Sequence, residues 1–438
     1  MIKTILSHDF RHTAINQLWR LISGPTILIL IPLYLSSEAQ GYWFTFISLA
    51  ALAVFADLGF TTIILQFSAH EFAYLHFDDN EKLVGDPENL NRLSSLFHFA
   101  LQWGVKASIV AFPVIFLVGY FILDQKQTNC SWLAPWSIYG IASMIIFVNN
   151  IVLSFIEGCN SVGNIQKIRF FISVINSMLI AFGLFFGFQL FALACALFVS
   201  SCMGKIIIFK KYGTMLKQLY NIKIEDRYNW KSSILPLIGK YAISWMSGYF
   251  IFSIFTPLAF HYYGAEEAGK IGLSIALWTA IFSIANIWMT IIIPKINVLI
   301  ARGDYITLNP IFYKHLKLSV VTFIVGIMTV FLLYFLLDGR FEIVKRFVSP
   351  LSLFLLAICW LLQIIVNSIA SYMRAHKEEP LVIPSLISGI YIALTTWILA
   401  VSLSSEYFFL GFLSSYIWGA PWVWIIFRKY QGRKFGSQ

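Results

Sequence analysis

Residues 53–60 read Ala-Val-Phe-Ala-Asp-Leu-Gly-Phe, and they place Asp57 in a stretch that is otherwise uncharged from Ala39 to Ala69. Uncharged stretches of this kind recur along the whole chain. Of its 438 residues, 59% are hydrophobic and only 12% are charged, and the mean hydropathy is +0.77. A soluble domain carries about 25% charged residues. The composition therefore excludes a water-soluble fold and predicts an all-α polytopic membrane protein.

The lengths of the uncharged runs predict the number of membrane-crossing helices. About 20 residues are needed to cover about 30 Å of hydrocarbon. The run from Phe170 to Gly204 has 35 residues, and one helix of that length would measure about 52 Å. We therefore predict two helices there, with a turn near Gly187-Phe188-Gln189. The twelve predicted spans are 14–36, 41–64, 97–123, 131–156, 167–187, 190–209, 235–260, 270–294, 317–337, 347–372, 381–404 and 407–427.

The positions of the basic residues predict the orientation of these spans. With the N-terminus inside, the inner segments hold 24 of the 31 Lys and Arg residues, whereas the outer loops hold five. Basic residues accumulate on the cytoplasmic side of membrane proteins. Both termini are therefore expected in the cytoplasm. The net charge of +10 follows from this topology, so it predicts contact with membrane lipids and requires no nucleic acid.

The longest predicted cytoplasmic segments are 65–96, 205–231 and 295–316. The first combines aromatic residues with acidic ones, which predicts an amphipathic helix at the membrane surface. The second is rich in Lys and divides the chain near its middle. The sequence therefore predicts a first six-helix bundle over 1–210, a basic cytoplasmic linker over 211–231 and a second six-helix bundle over 232–438.

Short matches between the two halves indicate an internal repeat. Ser37-Glu38-Ala39-Gln40-Gly41-Tyr42 leads into the second span, and Ala265-Glu266-Glu267-Ala268-Gly269-Lys270 leads into the eighth. Ile151-Val152-Leu153-Ser154 and Ile365-Val366-Asn367-Ser368 follow in the same order. Parallel repeats of this kind build transporters whose substrate site lies at the repeat interface.

These motifs resemble a known family. Glu38-Ala39-Gln40-Gly41-Tyr42, followed by an apolar run and Asp57-Leu58-Gly59, is similar to the first helical hairpin of the polysaccharide flippases, which export O-antigen and capsule repeat units. These flippases belong to the multidrug/oligosaccharidyl-lipid/polysaccharide (MOP) superfamily. The turn from Glu157-Gly158 to Lys167 is also family-like. The segment Arg374–Pro380 departs from the pattern, because such proteins often carry a glycine-lysine turn there.

The resemblance implies two six-helix bundles around a central cavity that opens to alternate sides. It implies export of an undecaprenyl-diphosphate-linked oligosaccharide from the inner to the outer leaflet of the bacterial cytoplasmic membrane, for surface polysaccharide synthesis. A polysaccharide polymerase and a chain-length regulator are then candidate partners.

Basic residues at membrane depth are the candidate substrate contacts, because a diphosphate cannot cross hydrocarbon without compensation for its lost hydration. Only 17 uncharged residues separate Arg20 from Glu38, and 17 separate Lys106 from Asp124. Each run covers about 25 Å of helix, so both cations are expected within the membrane or at its inner edge. Lys240 is a third candidate, although 20 uncharged residues follow it. The alternative for all three is that the long side chains reach the lipid headgroups.

Two acidic residues are candidates for a gate or for proton coupling. Asp57 lies 16 residues after Gly41, about 24 Å along the helix, which predicts a position in the last turns before the cytoplasm. The alternative is a helix-end aspartate, with Gly59 turning the chain. Glu157 occupies the matching place at the end of the fourth span, where we expect it in water.

Uncharged polar residues within spans are candidates for a polar path. They are Asn149, Asn150, Asn286 and Asn367, with Asn176 and Gln363 as further members. The alternative is that these side chains form hydrogen bonds between helices.

Other functions remain open. The eight histidines show no metal-ligand spacing, the five cysteines are scattered and a Walker loop is absent from the sequence, so we expect no metal, no cofactor, no catalytic set and no ATPase. A membrane-embedded polymerase or ligase would need a larger outer loop. A cation-coupled drug exporter of the same superfamily is the alternative transporter, and it would be expected to hold acidic residues at depth.

Overall fold

The structure is a computed structural model, and it describes residues 2–124, 130–222, 228–301, 303–376 and 380–435. Of these described residues, 87% are helical. The described helices are α1 (Ile2–Tyr34), α2 (Ser37–Ala50), α3 (Val54–Asp57), α4 (Phe60–Phe72), α5 (Pro87–Leu123), α6 (Leu133–Gly158), α7 (Val162–Phe185), α8 (Leu190–Asn221), α9 (Trp230–Phe252), α10 (Phe255–Tyr263), α11 (Ala265–Ala285), α12 (Ile287–Ala301), α13 (Tyr305–Leu337), α14 (Pro350–Ala375), α15 (Val382–Ser402) and α16 (Leu410–Phe435).

The predicted membrane-spanning pattern is confirmed. Eleven helical segments of the described chain, one of them α2 continued through α3 (Ser37–Asp57), are long and apolar enough to cross a bilayer. The bent pair α9–α10 makes a twelfth span, with 41° between its two parts. The predicted turn between the fifth and sixth spans is present. Gly187 and Gln189 adopt φ of 75° and 47° there, so the chain reverses between α7 and α8.

The chain forms two compact units. The first contains Met1–Leu35 and Phe46–Met246, and the second contains Ser36–Thr45 and Ser247–Gln438. Two helices therefore belong to both units: α2 begins in the second unit and ends in the first, and α9 does the reverse. The segment predicted as a linker, 211–231, differs from that description in its first part. Helix α8 continues to Asn221 and buries Tyr212, Met215 and Leu219 in the first unit.

The segment predicted as an amphipathic surface helix folds differently after Phe72. A two-stranded antiparallel hairpin, β1 (Leu75–Phe77) and β2 (Leu83–Gly85), replaces the helix. The Asp78 carboxylate accepts hydrogen bonds from the backbone N–H groups of Asn80 and Lys82 and so holds the turn. Asp and Asn stabilise turns by bonds of this kind.

The hairpin is fixed by a side chain from α8. The Gln218 amide donates to the Leu83 carbonyl and accepts from the Leu83 N–H, both at 2.8 Å. It therefore satisfies the backbone groups of Leu83 that a neighbouring strand would otherwise pair with. Helix α5, with 37 residues, is about 55 Å long and extends well past a bilayer. The Asp86 side chain accepts from the Asn89 N–H at the start of α5, and this backbone bond lowers the pKa of Asp86.

The repeated motifs of the two halves pack against each other within the second unit. A Cβ on Gly41 would overlap the carbonyl group of Ala265, and a Cβ on Gly269 would lie 2.9 Å from the Gly41 nitrogen. Gln40, which is 1% exposed, donates to the carbonyl oxygens of Gly269 at 2.9 Å and Arg346 at 3.3 Å. Small residues allow membrane helices to approach closely. The glycines of the two motifs therefore serve this contact between α2 and α11.

Larger side chains at this contact are expected to destabilise the protein. Gly41→Leu and Gly269→Leu should each lower the apparent melting temperature in detergent, because overpacking costs about 1–3 kcal/mol. The new side chain would clash with backbone atoms, which cannot rotate out of the way as a neighbouring side chain could. Gly213→Ala is the matched control, since a Cβ at this position in α8 meets nothing within 4 Å. That variant should melt at the wild-type temperature or slightly higher. Equal melting of Gly41→Leu and wild type would contradict the close approach.

Candidate functional site

The break in the second span is centred on Asp57. Helix α3 ends at this residue, and Leu58 and Gly59 follow with φ of 49° and 78° before α4 begins. The Asp57 carboxylate accepts from the Thr61 N–H at 3.2 Å and from the Thr61 hydroxyl at 3.0 Å. It therefore caps the first turn of α4. This is the geometry of a helix-end aspartate, and the same carboxylate is only half-buried.

Gly59 allows this break to lie against α9. A Cβ at position 59 would come within 2.9 Å of the Tyr241 Cβ and 3.3 Å of the Trp245 indole nitrogen. Its positive φ is also one that L-residues rarely adopt. Both the backbone angle and the space therefore require glycine.

The chain after the break packs against the fourth span, and the position of Asp57 in the last turns before the cytoplasm stays a prediction. After the break, α4 continues alongside α6, and the Ser68 hydroxyl fills the place where a Cβ on Gly158 would lie. Gly158 is the last residue of α6. A count along one helix could not show that its continuation packs against the fourth span.

Glu157 does not lie in water, contrary to the expectation from the sequence. Its side chain is 12% exposed, and its carboxylate is 2.8 Å from the Arg169 guanidinium. Gln166 donates to the same carboxylate at 3.2 Å and accepts from the buried Asn16 amide at 2.9 Å. This network joins α1, α6 and α7 through side chains at one end of the first unit. Glu157 is therefore neutralised within its own unit.

The three basic candidates are not brought together by contacts that the structure describes. Arg20 on α1 and Lys106 on α5 are both exposed on the first unit, and neither forms an ion pair with a described side chain. Exposed apolar residues occur close to them in the sequence, Leu18 and Ile22 on α1 and Ile109 on α5. Lys240 lies in α9, but its side chain is outside the described part of the chain. The roles of these three residues stay predictions.

Two of the polar candidates in the first unit join helices. The buried Asn149 amide donates to the Ser201 carbonyl at 2.9 Å and so connects α6 to α8. Asn176 accepts from the Ser200 hydroxyl at 3.3 Å. Asn150, next to Asn149, is exposed.

The second unit carries a row of polar side chains along α14. Gln363, Asn367 and Ser371 follow each other at intervals of four residues and lie on one face of the helix. The Tyr416 hydroxyl donates to Gln363 at 2.6 Å, and the Asn367 amide donates to Asn286 at 3.2 Å. All three members of the row are partly exposed. Sequence reasoning found Gln363, Asn367 and Asn286 but missed Tyr416 and Ser371, and the spacing of four could have identified Ser371.

The Glu157–Arg169 pair is expected to stabilise the first unit. Glu157→Gln and Arg169→Gln should each lower the apparent melting temperature, because each leaves a partly buried charge without its partner. Arg169 is a third exposed, so solvent limits the loss for each to about 1–2 kcal/mol. The double variant should melt no lower than the worse single variant. Fully additive losses would show that the two groups act independently.

Comparisons with known proteins agree with the observed fold. No family model and no curated protein matches the chain. Solved structures do match. The chain is similar to an inward-facing multidrug resistance MATE family transporter of the MOP superfamily, with a TM-score of 0.65, 13% identity and coverage of 97% of this chain and 96% of the other.

Two further structures are similar over the same length. One is a MOP superfamily transporter from Pyrococcus furiosus described as having a binding pocket of reverse polarity, with a TM-score of 0.57, 13% identity and coverage of 99% and 96%. The other is an outward-facing multidrug resistance MATE family transporter, with a TM-score of 0.54, 13% identity and coverage of 98% and 97%. The predicted fold class is therefore confirmed: the chain has the fold of MOP superfamily transporters. Identities this low show the fold alone.

Proposed function

We propose that the protein is a secondary transporter that moves its substrate across the membrane by alternating access. The likeness to MOP transporters over nearly the whole length of both chains carries this proposal. The two related transporters differ in the side to which they open, and this chain resembles both. The same likeness supports transport rather than the chemistry of a polymerase or ligase. Energy would come from an ion gradient or from the substrate gradient.

The first substrate class to consider is the small molecules carried by a cation-coupled exporter. The comparisons favour this class, because two of the similar structures are multidrug resistance transporters. Asp57 would be the acidic residue for coupling, since the Glu157 carboxylate is already paired with Arg169.

The second substrate class is the anionic lipid-linked oligosaccharide, exported from the inner leaflet of the bacterial cytoplasmic membrane with both termini inside. Two observations favour it: the resemblance of the first hairpin to polysaccharide flippases, and the sign of the charges. Arg20 and Lys106 have no described acidic partner, and their charges suit a diphosphate. A guanidinium binds phosphate oxygens with two parallel hydrogen bonds. One of the structures similar to this chain, the transporter from Pyrococcus furiosus, is described as having a binding pocket of reverse polarity, so the same fold can hold pockets of either polarity.

An efflux assay tests the first substrate class. Expression in a bacterial strain that lacks its own exporters should increase ethidium efflux, and a protonophore or the removal of Na⁺ should abolish the increase. Asp57→Asn should abolish it as well. Glu342→Gln is the matched control, because this acid is 94% exposed and should leave efflux unchanged. Wild-type protein at normal level without any ethidium efflux would count against small-molecule export.

Display of surface glycan tests the second class. Arg20→Ala and Lys106→Ala should each abolish display in the native host while the protein is inserted at its normal level, because the diphosphate would lose its cationic partners. Lys217→Ala on the exposed face of α8 removes the same charge far from the predicted membrane depth and should have no effect. Wild-type display in both Arg20 and Lys106 variants would remove these residues from the site.

A further inference from the structure

Helices α11 and α12 of the second unit carry an exposed polar face. Its members follow each other at intervals of four, three and four residues, and they are Thr279, Ser283, Asn286 and Thr290. Residues at such intervals lie on one side of a helix. The backbone hydrogen bonds continue through Asn286, from its N–H to Phe282 and from the Thr290 N–H to Asn286. All four side chains are exposed or partly exposed, and together they cover about 16 Å of helix.

The same two helices carry a separate apolar face. Ile284, Trp288 and Ile291 are also exposed, and they lie about 140° further around the helix. Apolar side chains are suited to contact with lipid. The amide of Asn286 is not, because polar groups without partners are costly in hydrocarbon. We therefore expect the polar face to meet water or a polar ligand, and the apolar face to meet lipid.

Helix α14 extends the polar face. The Asn367 amide donates to Asn286 at 3.2 Å, and Gln363 and Ser371 lie one turn to either side of Asn367. The bond uses one donor of Asn367 and one acceptor position of Asn286, so both amides keep further donors and acceptors. The polar face of the second unit therefore spans two neighbouring helices and consists of Thr279, Ser283, Asn286, Thr290, Gln363, Asn367 and Ser371.

The amides distinguish this face from an isolated hydroxyl group that faces lipid. Thr290 donates to the Asn286 carbonyl at 3.1 Å, and Thr329 on α13 donates to the Val325 carbonyl at 2.9 Å. Both hydroxyl groups are thus satisfied by their own helix. Thr329 lies among exposed apolar residues such as Met328, whereas Thr290 lies one turn from Asn286. Thr329 is therefore a matched control for Thr290.

A buried donor lies beside the row on α14. The Trp360 side chain is one turn before Gln363 and is 6% exposed. Its ring packs against that of Phe282 on α11, with 5.2 Å between the centroids. Among the described residues, its indole N–H has no hydrogen-bond acceptor. A buried donor needs a partner, and a hydroxyl group of a bound molecule would supply one.

The chemistry of the polar face suits an uncharged ligand. The sequence has no Asp, Glu, Lys or Arg from Ile271 to Pro294 or from Pro350 to Met373. A diphosphate would require cationic partners, and a cationic drug would require acidic ones. Amides and hydroxyl groups both donate and accept hydrogen bonds, as sugar hydroxyl groups do. The face therefore matches a carbohydrate better than it matches an ion.

We propose that the polar face of the second unit binds the sugar residues of a lipid-linked oligosaccharide through uncharged hydrogen bonds. This inference rests on the second substrate class of the proposed function. It assigns the sugars to α11, α12 and α14, and it leaves the diphosphate to other residues.

Cysteine labelling tests whether the face is wet. In a chain whose five cysteines are replaced by serine, Ser283→Cys and Thr290→Cys probe the polar face, and Ile284→Cys and Ile291→Cys are the matched controls on the apolar face. Nanodiscs leave both membrane sides open to a charged, membrane-impermeant methanethiosulfonate reagent. The polar-face cysteines should be labelled and the controls should not, because the reacting thiolate forms in water. Equal labelling of the two faces, or none on the polar face, would overturn the proposal.

Protection from labelling identifies the ligand. The probe is the lipid-linked oligosaccharide extracted from membranes of the native host. Undecaprenyl diphosphate is the control, since it carries the same lipid and diphosphate without sugars. We expect the oligosaccharide alone to abolish labelling of Thr290→Cys. Protection by both lipids would assign the face to the lipid or the diphosphate, and protection by neither would exclude it as a binding site, so each result would contradict the inference.

Glycan display separates failure of this site from failure of the proposed function. The double variant Ser283→Ala, Thr290→Val should lower display several-fold at normal protein level, because both hydroxyl oxygens are lost as acceptors. Thr329→Val removes a comparable hydroxyl group from α13 and should display glycan as wild type does. If the wild-type gene does not restore display to a deletion strain, the second substrate class fails, and the sugar site fails with it. If wild type and the double variant restore display equally, the sugar site alone fails.

Discussion

The structure depends on one constraint: in hydrocarbon, every backbone N–H and C=O group must find its partner within the protein. This requirement makes nearly the whole chain helical and makes each departure from the helix informative. At the Leu58-Gly59 break, the Asp57 carboxylate supplies an acceptor for the backbone N–H of Thr61. At Asn286, the backbone hydrogen bonds continue from the Asn286 N–H to Phe282 and from the Thr290 N–H to Asn286.

The motifs that carry the family resemblance have a physical role that does not involve a substrate. Gly41 and Gly269 are glycines because two helix starts meet there with no room for a side chain. Gln40 then reaches across to backbone carbonyl groups of the partner elements. A flippase and a drug exporter of the same fold both need such contacts, so these motifs predict the fold better than they predict the substrate.

The charged candidate residues of the first unit have different surroundings. Glu157 is neutralised by Arg169 and bonded to Gln166, which makes it a structural group that joins three helices. The described hydrogen bonds of Asp57 go to Thr61, and its role in gating or coupling stays a prediction. Arg20 and Lys106 are exposed on the first unit with no described partner. The roles of these four residues therefore differ, although the sequence presents all of them as charges near or within apolar runs.

The sequence by itself determined the helical class, the number of spans and the turn after the fifth span, because hydrocarbon imposes length and polarity on each helix separately. It also identified the repeat, since Gly41 and Gly269 open matching spans. Only the tertiary structure decided which polar groups meet: Glu157 with Arg169, Asn149 with Ser201, and the Leu58-Gly59 break with Tyr241. Those pairings join different helices, and a hydropathy pattern carries no information about which helix faces which. The hairpin at Leu75–Gly85 was missed for the same reason, because Gln218 of α8 stabilises it.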